Sequence, residues 1–290
     1  MLRYFLYFLL AAAVILAGLF IAFILVPGRR APQGNPEYVA LGSSFAAGLG
    51  LGPRVEGSAV AAGRTINSYP QKFARLSGLS LVDMTWSGSK TRDILHPGMF
   101  FQRPQIDGVG PLTKLVTITA GGNDVAYGGD LVMMSYRNRG PVLRFLLGLI
   151  ASDPLPATQR DFQKVYGDMT SAITEIKRRS PHAKVVVVTY PAVLPMQGTC
   201  SALRLTDTQV ALMRTVADRL AQVTKDAASH AGASVLDMAA ISAGHDACSA
   251  VPWTHGALTN ETPFHPSNAG TDATAAELRQ LIEDSSTGHL

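Results

Sequence analysis

Hydrophobic positions follow three patterns along this chain. The first is an unbroken block, YFLYFLLAAAVILAGLFIAFILVP at residues 4–27, with no charge and no polar face. At about 1.5 Å per residue, a helix of that length can cross a hydrocarbon layer of about 30 Å. The second pattern is a series of short apolar runs: YVALG (38–42), LSLVDMTW (79–86), KLVTITA (114–120), AKVVVVTY (183–190) and ASVLDM (233–238). Two of these are continuously apolar, as strands covered on both faces are. The third is helical periodicity near 68–77, 158–179, 206–230 and 268–283. Strands alternating with helices predict a mostly parallel sheet with helices on both faces, an α/β fold.

Two stretches depart from that rhythm. GRRAPQGNP (28–36) reads as a linker, so residues 1–30 are expected to form an N-terminal membrane anchor and residues 31–290 one domain. Residues 125–157 are longer than a plain crossover needs and carry the apolar run VLRFLLGLIAS (142–152). This is an insertion, partly helical. It is too short to span a bilayer, so it must bury its apolar face on the sheet, on an acyl chain or on a membrane surface.

Composition changes the picture in two places. The N-terminal block stays bulky up to Pro27 and no A-x-A follows, which favours an uncleaved anchor over a cleaved signal peptide. Of the net charge of +4, Arg3, Arg29 and Arg30 supply three; the remainder holds 22 basic and 21 acidic residues, too balanced for a nucleic-acid binder. Cys200 and Cys248 belong to no CxxC pair. Beside a membrane anchor they suit one disulfide in an oxidising compartment better than two buried thiols, which places the domain outside the cytoplasm.

In an open parallel sheet, ligands bind beyond the carboxyl ends of the strands. After the first run come Ser43 and Ser44; after the second, SGSKT with Gly88; after the third, GGND with Asn123; and before the last helix, TPFHPSNAG with His265. A serine nucleophile needs a base, which histidine supplies. The oxyanion of acyl transfer needs donors, which a serine N–H, a glycine N–H and an asparagine amide supply. Taken singly, each of these residues reads as a turn or cap. GLGLGP (48–53) fails as a dinucleotide fingerprint because Pro53 stands where the last glycine should, and no HxH or HxxxH points to a metal. No metal or cofactor is expected.

The four blocks YVALGSSFAAG, WSGSKTRDI, ITAGGNDV and FHPSNAG resemble, in order and spacing, those of the SGNH hydrolases, or GDSL esterases and lipases. The resemblance covers about residues 37–285. It implies a three-layer α/β/α sandwich with a five-stranded, flavodoxin-like sheet. It also implies Ser44 as nucleophile, His265 as base, and Ser44, Gly88 and Asn123 as oxyanion donors, acting on a small-molecule or lipid acyl ester. Two positions depart from the family pattern. Gly42-Ser43-Ser44 stands for G-D-S, which removes no catalytic group. Thr262 stands where the family has an aspartate three residues before the histidine, so a backbone carbonyl at Thr262 or Pro263 is expected to orient His265, rather than Glu261 or Asp246. His245, in a segment similar to a structural one of secreted relatives, is expected to be non-catalytic. An O-acyltransferase acting on envelope glycans or lipids uses the same machinery with an alcohol acceptor. A non-catalytic envelope-binding module is the third reading, and the intact four-block set argues against it.

Overall fold

In a computed structural model, residues 1–286 are described. Five parallel strands form one sheet in the order β2-β1-β3-β4-β5: β1 Tyr38–Gly42, β2 Leu81–Asp83, β3 Leu115–Thr119, β4 Lys184–Val188 and β5 Ser234–Leu236. The chain runs from β1 outward to β2 and then returns to the other side of β1 as β3. The direction of winding therefore changes between β1 and β3, the position at which such sheets bind ligands.

Alternation along the strands explains the layers. Val39, Leu41, Val116, Ile118, Val185 and Val187 pack on two long helices, α5 Phe162–Arg179 and α6 Asp207–His230. Tyr38, Ala40, Val186 and Val188 face the other way, onto α2 Tyr69–Ser77 and α7 Asn268–Ser286. Helix ends are set locally. The Asp161 side chain accepts from Lys164 N–H to start α5, and Thr206 with Gln209 forms a reciprocal capping box on α6. The result is a three-layer sandwich, in which β1 matches its apolar run and the other four strands are shorter than theirs.

The N-terminal block is helical throughout. Helix α1, Leu2–Phe20, continues through a wider π-type turn at Ile21–Leu25 into Val26–Arg29. The span Arg3–Arg29 is long and apolar enough to cross a membrane. Most of α1 touches nothing in the sandwich, but its end rests on it: the Phe20 ring meets Phe100 edge-on at 5.8 Å, and Arg103 N–H donates to the Gly28 carbonyl at 3.1 Å. Residues 125–157 contain two helices, α3 Tyr127–Arg137 and α4 Pro141–Gly148. Helix α3 joins the core through Tyr127, Leu131 and Met134, whereas α4 has no buried residue. Of the three burial partners open to this run, the sheet is thus excluded for α4. Cys200 and Cys248 are bonded to each other.

Candidate active site

The end of β1 is built so that only glycine fits. Gly42 has φ +137°, and a Cβ there would lie 2.2 Å from the Thr119 carbonyl oxygen of β3. Gln105 clamps this glycine from both sides, accepting from its N–H at 2.7 Å and donating to its carbonyl at 3.0 Å. The next two residues then diverge. Ser43 is 1 % exposed and its hydroxyl is paired with Tyr190 Oη at 2.8 Å. Ser44 opens a single helical turn, Ser44–Ala47, and its Oγ lies 2.8 Å from His265 Nε2. Only the second hydroxyl of the pair thus faces a base.

His265 is oriented by backbone. Its Nδ1 is 2.9 Å from the Pro263 carbonyl oxygen. A carbonyl can only accept, so Nδ1 carries the proton and Nε2 presents its lone pair to Ser44. Of the two carbonyls expected, the acceptor is that of Pro263 and not that of Thr262. The reason is Phe264, fully buried at φ +58°, whose left-handed turn brings the carbonyl just before it round to the ring just after it. The Thr262 side chain instead packs over Gly50. The two nearby carboxylates are engaged elsewhere: Glu261 pairs with His255 Nε2 at 2.5 Å, and Asp246 accepts from Cys248 N–H at 2.8 Å. His245 stacks on Trp253 with its Nδ1 on the Val251 carbonyl, away from Ser44. Burial, with no carboxylate to offset it, depresses the His265 pKa to about 4.

The loops after β2 and β3 are sewn together. Asn123 Nδ2 donates to the Ser89 carbonyl at 2.8 Å, leaving its second amide hydrogen free. Asp124 accepts from Thr91 N–H at 3.0 Å and from Thr91 Oγ1 at 2.7 Å. Burial pushes this carboxyl upward, against those hydrogen bonds. Ser44, Asn123 and His265 line one cleft of about 260 Å³, with Phe45, Val132 and Met133 as apolar wall. Gly88, at φ +82°, is not in that lining. It adjoins Ser89, which holds Asn123, and the Met99 methyl group lies over it. Tyr190, at the end of the fourth apolar run, is a residue that the motifs do not mark; its hydroxyl joins Ser43 to the Gly122 N–H. Looking past the end of every strand, β4 included, would have found it.

Residues 40–273 match the sequence profile of the GDSL-like Lipase/Acylhydrolase family. The chain belongs to that family. It is 30 % identical over 251 residues to Lipase 2 of Streptomyces coelicolor, covering 81 % of each chain. It is 31 % identical over 238 residues to the lipase of Streptomyces rimosus, covering 81 % of this chain and 82 % of that one. The crystal structure of the extracellular Streptomyces rimosus lipase superposes with a TM-score of 0.68 at 27 % identity, over 84 % of this chain and 98 % of the other. Phospholipase A1 from Streptomyces albidoflavus gives 0.67 at 26 % identity, over 85 % and 99 %. As a GDSL-like lipase/acylhydrolase, the protein is a carboxylic ester hydrolase.

Proposed function

We propose that this hydrolase cleaves lipid-type acyl esters through Ser44 and His265, in a domain spanning residues 31–290 that residues 1–30 hold at a membrane outside the cytoplasm. The observation that carries the reading is the relay Ser44 Oγ–His265 Nε2–Nδ1–Pro263 carbonyl, with distances of 2.8 and 2.9 Å at its two ends. Ser44 Oγ attacks the ester carbonyl carbon while its proton passes to Nε2. Ser44 N–H, Gly88 N–H and the free Asn123 amide hydrogen receive the oxyanion. Collapse expels the alcohol with the proton from His265, and water repeats the sequence to release the acid and restore Ser44.

A neutral carbonyl stabilises the imidazolium less than a carboxylate does. The depressed His265 pKa agrees with a base of modest strength. The apolar wall of Phe45, Val132 and Met133 supports an acyl chain as the group held. The printed names of the relatives, lipase and phospholipase A1, support the same substrate class. The extracellular relative and the Cys200–Cys248 disulfide support an extracytoplasmic site.

The test compares Ser44→Ala with Ser43→Ala. Ser44→Ala should abolish both fluorophosphonate labelling and nitrophenyl ester turnover with the fold intact, while Ser43→Ala keeps both. The opposite pattern would reassign the nucleophile.

A further inference from the structure

Helix α4 leaves its apolar side chains in the open. Phe145 is 67 % exposed and Ile150, just past the helix, 77 %; Val142, Leu146 and Leu149 are exposed as well. A helix of a soluble domain normally turns such residues to the core. Polar contacts hold α4 instead. Arg137 of α3, itself buried, donates to the carbonyls of Leu147, Ala151 and Ser152 and pairs with Asp153 at 2.8 Å. A cation thus ties the last turn of α4, through the Leu147 carbonyl, and the segment just after it, through those of Ala151 and Ser152, without using the apolar side chains of the helix.

A second apolar surface lies in the loop after β2, where Met99, Phe100 and Phe101 are exposed. Phe100 meets Phe20 of the N-terminal helix, and Arg29 lies over Phe101 at 5.5 Å. Met99 reaches Gly88 of the oxyanion loop. Both surfaces follow strands whose carboxyl ends share the sheet edge of Ser44.

The length of α1 removes any spacer. From Phe20 onward one side of the helix touches the domain, with Phe23 and Val26 still half-exposed, and residues 2–19 precede that contact, about 27 Å of helix. That is close to the roughly 30 Å of a hydrocarbon core, and it sets Phe100 at the bilayer surface. Charge selects the lipid. No acidic residue occurs from 131 to 152, whereas Arg139 and Arg144 lie there and Arg29 and Arg30 end the span.

We propose that α4 and the Met99–Phe101 loop, with the end of the N-terminal helix, form one docking face for an anionic lipid bilayer, which lays the mouth of the Ser44 cleft on the membrane. The enzyme then draws its ester from the bilayer it is fixed in. This rests on the membrane and Ser44 readings above.

The experiment uses the full chain in proteoliposomes of phosphatidylcholine with about one-fifth phosphatidylglycerol. Phe145→Trp should be quenched by lipids brominated on their acyl chains, beyond the quenching of Trp86 and Trp253 in the parent chain. The double variant Phe145→Ser/Ile150→Ser should lose about tenfold in turnover of a vesicle-embedded ester. Its turnover of soluble nitrophenyl acetate should stay within about twofold. Arg144→Gln should lower vesicle turnover about fivefold with the anionic lipid and leave it unchanged without. Quenching of the Phe145→Trp variant no greater than that of the parent chain overturns the docking face. So does an equal loss on a monomeric long-chain ester in water, which makes α4 an acyl-binding wall. A change in subunit number by light scattering makes α4 a contact between copies, and a loss on acetate makes it a support of the catalytic loop; either overturns the proposal. Failure of Ser44-dependent acetate turnover in the parent chain overturns the hydrolase mechanism instead, and the quenching result stands apart from it.

Discussion

Lowering the pH separates this active site from one built on an ordinary histidine. In the proposed mechanism neutral His265 is the base, and its burial without a carboxylate partner brings its pKa from 6.5 to about 4. The difference of about 2.5 units corresponds to roughly 3 kcal/mol against the charged ring, an upper limit because one ring edge meets the cleft. At about pH 5 roughly nine-tenths of such a ring is neutral, against about 3 % of an unperturbed imidazole. The acid limb of kcat/KM for a soluble nitrophenyl ester should therefore have its midpoint near 4, since this quantity reports the free enzyme. Asp124, raised by burial, stands behind Asn123 and titrates in the same direction. Asp124→Asn should keep the limb, which assigns it to the histidine. Protons favour the unfolded chain at His265, so stability from this group is full above about 6.5 and falls as the pH drops toward about 4. An acid limb centred between about 6 and 7 would refute the reasoning, for it would mean a solvated ring or a carboxylate partner.

Three further outcomes follow from the same contacts. Glu261→Gln and Asp246→Asn should each lower kcat less than about tenfold, since neither carboxylate reaches His265; a drop near the 10⁴ seen on loss of a protease triad carboxylate would restore a conventional triad. Gly42→Ala should unfold the protein or lower its unfolding free energy in urea by several kcal/mol, because the added methyl would lie 2.2 Å from the Thr119 carbonyl; a variant of parent stability would mean β1 and β3 part easily. Replacing Cys200 and Cys248 by alanine should lower unfolding stability by about 4 kcal/mol, from a sequence separation of 48 residues; an unchanged melting temperature would place the loop's order in its packing.

The parallel sheet and its two helical layers were legible because they depend on period, which a sequence carries directly, whereas the strand order came with the family resemblance. A valine run such as KVVVV is satisfied between two helical layers. Ser44, Asn123 and His265 were legible because each follows or precedes an element end, and parallel strands collect such ends at one edge. The identity of the orienting carbonyl was not. It depends on the sign of φ at Phe264, and a phenylalanine in the left-handed region is held there by its burial, not by a residue preference. Glycine would have announced the turn; phenylalanine conceals it.

The apolar run after Asn123 shows where periodicity stops deciding. VLRFLLGLIAS has the same composition whether it faces a core, a ligand or a membrane, because burial is a property of neighbours. Only the structure shows that Arg137 holds the end of α4 and the segment after it through backbone carbonyls and that the apolar side chains of the helix are left over. The same holds for the N-terminal block. Its length and composition are those of a membrane span, and under the proposed anchoring the contact of Phe20 with Phe100 would decide how far from the bilayer the cleft stands. With the last turns touching the domain, an anchor of this kind would leave no slack. A domain tethered in the proposed way would meet the bilayer with whatever it exposes beside the tether, and here that is Met99, Phe100 and Phe101, the loop that also covers Gly88.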